Sequence, residues 1–165
     1  MGDVRFTGNW NSVNAHTVPK WYEDCKFGIF IHWGIYSVPA FAPHTWELGE
    51  VDSKEWFADN PYAEWYYNSL NIGKGPTYKH HIEKYGKDFK YEDFIPMWKA
   101  ENWDPKQWAE IFKEAGAEYV VLTTKHHDGF CLFPSKYTHF NSVEMGPKRN
   151  ITGELTEAVR DAGIR

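Results

Sequence analysis

His32, His126 and His127 are the residues whose type and placement could do chemistry, each standing at the polar end of an apolar run. A neutral imidazole offers one donor and one acceptor, which suits the hydroxyl groups of a sugar. In extended chain, neighbouring side chains point to opposite faces, so the adjacent His126 and His127 do not easily grip one metal ion. A hydrolase metal site built from His32, His126 and His127 stays open as a second reading, while no metal or cofactor is expected. The plain alternative for each histidine is a strand end whose ring bonds nearby backbone. Asp128, directly before Gly129, reads as a turn residue that orients the loop rather than as an acid. Glu64 stands among Tyr62, Trp65, Tyr66 and Tyr67. Such an apolar surround disfavours the ionised carboxylate, as a general acid requires, against the competing reading of an exposed helix glutamate. His80 and His81 lie in a charged helical stretch and are expected in solvent.

The elements that must position these residues are strands. Tyr119, Val120, Val121 and Leu122 form an apolar run bounded by polar residues, which predicts a strand covered on both faces of a parallel sheet. The preceding helix has Asp104 as N-cap, Pro105 at its first position, Gln107 completing a capping box and Gly116 closing it. Trp108, Ile111, Phe112 and Ala115 make its apolar stripe. Residues 26–33 repeat the design, with Phe27, Ile29, Phe30 and Ile31 predicted buried, then His32 and Trp33 at the carboxyl end. Residues 1–15 are expected to be an extended arm, and Thr17, Pro19, Trp21 and Tyr22 a short capped helix.

Residues 34–118 exceed what a simple crossover needs, so the connection carries its own structure. Asp52, Ser53 and Glu55 predict a short helix through Trp56 and Phe57, broken at Asn60 and Pro61. A second helix opens over residues 61–67, residues 73–76 form a loop, 77–84 are helical again, and 91–98 are a short helix disturbed at Pro96. Residues 134–148 read as an exposed polar loop. Asn150 then caps a helix with Ile151, Leu155, Ala158, Val159 and Ala162 on one stripe and Gly163 at its end, leaving Ile164 and Arg165 as the doorstep of a third strand. Alternating helices and buried strands make an α/β fold, in which ligands gather at the carboxyl ends of the strands.

The 165 residues suffice for one domain with a real core, and no apolar run approaches the length of a membrane span. The start MGDVRFTGNW lacks a basic segment followed by an apolar one, so a cytoplasmic protein without a membrane partner is expected. Cys25 and Cys131 lack metal-type spacing and read as free buried thiols. Lys plus Arg total 18 against 23 Asp plus Glu, and this excess of negative charge argues against nucleic acid. The chain holds 9 Trp, a surplus of flat rings with a donor that suggests carbohydrate, with core packing as the competing use.

KFGIFIHWGIYSVPA, NPYAEWYYNSL, NWDPKQWAEIFKEAGAEYVVLTTKHHDGFCLFPSKYTHFNS and GPKRNITGEL together resemble the glycoside hydrolase family of α-L-fucosidases, over nearly all of residues 16–165. The resemblance implies a catalytic (β/α)8-like TIM barrel followed by a β-sandwich. Residues 16–165 would be the N-terminal portion of that barrel, about two β/α units with a long helical insertion, incomplete in this chain. It also implies that His32, His126 and His127 hold fucose hydroxyls and that Glu64 and Trp65 enter the same pocket. The family removes terminal α-L-fucose from fucosylated glycans with retention, which needs two carboxyls about 5 Å apart. The aspartate nucleophile belongs to a later strand beyond this chain, so Glu64 is a candidate helper, not the assigned acid/base. Asn150 stands where the family commonly has aspartate, and either residue caps a helix. The chain alone is expected to be inactive. Its expected partners are terminal α-L-fucosides, the C-terminal portion of the enzyme and, as an open alternative, a second copy of itself. A non-catalytic sugar-binding or assembly module is the reading from a different class.

Overall fold

Two parallel strands lie side by side, β1 (Gly28–Ile31) and β2 (Tyr119–Leu122), in a register that sets Gly28 opposite Tyr119 and Ile31 opposite Leu122. The computed structural model describes residues 6–44 and 55–165, so the helix start predicted at Asp52 and Ser53 lies outside the described residues. A side chain at Gly28 would place its Cβ 2.2 Å from the Tyr119 ring, so only glycine lets that ring cross the strand.

The strands are covered on one face rather than two. Ile31, Val120 and Leu122 pack against the core, whereas Phe30 is 65% exposed and Val121, its partner in register, 37% exposed. Phe27 is exposed as well. An unbroken apolar run cannot reveal which face has a neighbour; on the Phe30 face the described residues supply only the His32 ring at 5.2 Å from Phe30 and the Tyr22 ring at 5.4 Å from Tyr119. Past the last helix, the Arg165 N–H donates to the Glu118 carbonyl at 3.1 Å, and the Val120 N–H donates to the Arg165 carbonyl at 2.7 Å. The chain end therefore runs beside β2, as the expected third-strand doorstep requires.

Local chemistry explains the helices. Residues 1–15 were expected to be extended, but the Asn9 side chain accepts from the Ser12 amide at 2.9 Å and starts α1 (Trp10–Asn14), which buries no residue. α2 (Lys20–Asp24) follows Pro19 without a side-chain cap, so Thr17 does not cap it. A 3₁₀ turn, Ala63–Trp65, leads into α3 (Tyr66–Asn71). α4 (Gly75–Tyr85) starts inside the predicted loop, because Pro76 suits a first turn. A 3₁₀ run, Tyr91–Met97, contains Pro96.

In α5 (Pro105–Glu114) the Asp104 carboxylate accepts from the Lys106 and Gln107 amides at 3.0 and 3.1 Å. Its buried side is narrower than the predicted stripe. Trp108, Ala109 and Phe112 meet the core, while Ile111 and Ala115 are exposed. α6 (Ile151–Asp161) packs on α5, with Asn150 capping through the Gly153 amide at 3.0 Å and Ile151, Leu155, Ala158 and Val159 buried as predicted.

Four tryptophans are used in packing. Trp33 lies 5.1 Å from Trp98, 5.1 Å from Trp103 and 5.4 Å from Trp108, and joins the tip of β1 to α5. Residues 134–148, predicted exposed, contain Asn141 and Ser142 at 0% exposure. Polar bonds hold them there: Asn141 Oδ1 accepts from the Val143 and Glu144 amides, and the Ser142 hydroxyl donates to the Arg149 carbonyl at 2.7 Å. A segment ordered by hydrogen bonds carries no apolar signal to read.

Candidate functional site

His32 follows β1 directly, His126 and His127 close the segment after β2, and Glu64 and Trp65 come from the 3₁₀ turn ahead of α3. The fold brings these predicted residues together. The His126 ring lies 5.3 Å from His32, 4.7 Å from His127 and 5.9 Å from Trp65. Trp65 tilts over His127 at 4.3 Å. His32 and His127 are exposed, and His126, Glu64 and Trp65 are half-buried, so the cluster has an accessible side.

The turn that presents the histidines is built by Asp128 and Gly129. The Gly129 N–H donates to the His126 carbonyl at 3.0 Å, and Gly129 sits at φ 82°, where a Cβ would be strained. Asp128, 7% exposed, accepts from the Tyr91 hydroxyl at 2.8 Å and from the Phe130 amide at 3.1 Å. Burial raises its pKa; the two hydrogen bonds, with the Lys125 and His127 charges, work against that rise. Both oxygens are thus engaged in shaping the loop, as the turn reading anticipates.

Burial first, then His127 and His32, lower the His126 pKa, outweighing the opposite pull of Glu64. The ring is accordingly neutral near pH 7, able to donate and to accept. Its Nδ1 is shielded from solvent, and the Glu64 backbone beside the ring acts on it as a hydrogen-bond partner. Tyr36, on the 3₁₀ turn Ile35–Ser37, is a member that sequence reasoning missed, its ring 5.8 Å from His126. Burial, then the charges of Asp128 and Glu64, push its phenol up, so it remains a neutral hydroxyl. The signal lay in Tyr36 following so soon after His32, Trp33 and Gly34, where the reading of the strand had stopped.

His80 and His81 are not in solvent. His81 is 1% exposed, with Nδ1 2.9 Å from the Tyr66 hydroxyl and Nε2 2.8 Å from the Phe89 carbonyl. A carbonyl only accepts, which assigns the proton to Nε2 and makes Tyr66 the donor to Nδ1. His80 stacks on Phe41 at 3.7 Å. Charged neighbours along a helix conceal such burial, because only one side of α4 faces the core.

Among the described residues, no group of three or more His, Cys, Asp or Glu is arranged to hold a metal ion. Cys25 and Cys131 are free thiols, Cys131 buried as expected and Cys25 only half-buried, its thiol donating to the Glu118 carboxylate at 3.4 Å. Three imidazoles, an indole and a phenol in one cluster of rings provide donors, acceptors and flat apolar surface, a combination suited to a polyhydroxylated ring.

The family model described as alpha-L-fucosidase matches residues 2–165. An alpha-L-fucosidase of Dictyostelium discoideum is 42% identical over 94% of this chain and 31% of its own length. The plasma alpha-L-fucosidase of Homo sapiens is 41% identical over 96% of this chain and 30% of its own. A solved Thermotoga maritima alpha-fucosidase in complex with fucose superposes with a TM-score of 0.85 at 55% identity, covering 98% of this chain and 36% of that one. The chain thus spans about a third of the length of the relatives it matches.

Proposed function

This chain belongs to the alpha-L-fucosidase family, and on that premise we propose that it supplies part of the pocket for a terminal α-L-fucose in a retaining glycosidase. The observation that carries the proposal is the convergence of His32, His126 and His127 with Trp65. Imidazole nitrogens hydrogen-bond the ring hydroxyls, and the indole borders the apolar face with its methyl group. A neutral His126 serves because a sugar hydroxyl both gives and takes a hydrogen bond. Glu64 stands beside these rings as a helper that orients the sugar. The aspartate nucleophile belongs to a later strand, so this chain alone does not turn over substrate.

The chain is then the opening portion of a (β/α)8-like barrel. In support, β1 and β2 are parallel, both histidine groups follow their carboxyl ends, and Arg165 runs beside β2. The exposed Phe30 and Val121 face would be filled by the rest of the barrel, which makes the complementary portion of the enzyme its partner.

Titration of the chain with methyl α-L-fucoside, followed by NMR of the imidazole protons, tests the pocket. Saturable shifts at His32, His126 and His127 are expected, and His127→Ala should weaken binding about tenfold, the worth of one good hydrogen bond. Imidazole signals that ignore the sugar in the folded chain would refute the pocket.

A further inference from the structure

Trp65 and His127 approach to 4.3 Å although they arrive on different parts of the chain, and one buried side chain touches both supports. Tyr91, 1% exposed, stacks its ring on Tyr67 at 4.5 Å and 27°, and Tyr67 stands two residues beyond Trp65. The same side chain donates its hydroxyl to Asp128 Oδ2 at 2.8 Å, and Asp128 follows His127 directly. We propose that Tyr91 is the positioning residue that sets the spacing between the tryptophan half and the histidine half of the cluster, its ring holding one and its hydroxyl the other. For the sugar this deepens the fucose reading and rests on it; the spacing itself does not.

The hydroxyl is the decisive contact for two physical reasons. Asp128 is buried and needs donors, and Tyr91 supplies one of its two hydrogen bonds, the other coming from the Phe130 amide. Burial and the Asp128 charge also hold the phenol protonated, which keeps the donor in place.

The test is NMR of the His127 imidazole in the whole chain, because the nearby Trp65 ring displaces its proton signals. Tyr91→Phe keeps the ring stack and removes the hydroxyl. The expected result is that the His127 signals move towards ordinary histidine values and methyl α-L-fucoside binds about fivefold more weakly, as loss of one hydrogen bond implies. Tyr67→Leu, which cuts the ring contact and spares the hydroxyl, should shift the Trp65 indole signal, and it decides the matter if Tyr91→Phe does not fold. Unchanged His127 and Trp65 signals in the folded variants would overturn the proposal. If the wild-type chain binds no fucoside, the pocket reading falls, while the His127 and Trp65 signals still judge the spacer role.

Discussion

Single side chains decide how this cluster responds to pH and substitution. Burial, His127 and His32 hold the His126 pKa below its ordinary value of 6.5, whereas unfolding returns it there. In the window below 6.5 the unfolded chain takes up a proton that the folded chain refuses, so the stability contribution is complete above that window and is lost as pH falls through it. Urea unfolding at about pH 7.5 and about pH 5.5 should show His126→Gln losing less stability on acidification than the wild type. His81 tests the opposite kind of histidine, one that serves structure. His81→Ala removes two buried hydrogen bonds and should cost about 2 to 4 kcal/mol in urea denaturation, with no direct effect on the sugar contacts. The meeting of His32, His126 and His127 is legible in the sequence because each ends an apolar run, and parallel strands bring such ends together. His81 and Tyr36 are not, since their burial depends on which way a helix and a turn face the core. Asp128 is read correctly as a turn former, but its partner Tyr91 lies far away in sequence and only folding brings them together.

At the scale of elements, capping and periodicity set what the sequence reveals. Asp104 and Asn150 are recognisable N-caps and the structure uses both, the aspartate through two amides and the asparagine through one. Asn150→Ala should cost about 1 kcal/mol, and Asp104→Ala at least as much, up to about 2 kcal/mol, measured by thermal or urea unfolding. Asn150→Asp should be nearly neutral, since either side chain accepts the Gly153 amide. The helix at Trp10–Asn14 escapes a periodicity reading because it buries nothing, and its signal is the Asn9 cap alone. Segment 134–148 is mostly exposed or half-buried, with Tyr137 at 86%, and only Asn141 and Ser142 escape, being buried without being apolar.

At the scale of the whole molecule, the described residues form an α/β arrangement whose sheet leaves Phe30 and Val121 exposed on one side. Phe30 and Val121 lie next to each other on that side, and apolar neighbours left to water favour association. Phe30→Ser should leave the stability of this chain within about 0.5 kcal/mol, because the ring is already exposed, while reducing self-association in sedimentation. The same substitution should weaken assembly with a complementary barrel portion. The most direct measurement of the fucose assignment is hydrolysis of an aryl α-L-fucoside by this chain alone and after mixing with the remaining portion of the Thermotoga maritima fucosidase fold, with His127→Ala as control. The expected result is silence alone, turnover in the mixture, and loss of turnover with His127→Ala. Turnover by the chain alone, or a folded mixture that stays silent, would contradict a pocket divided between these histidines and a nucleophile on a later strand.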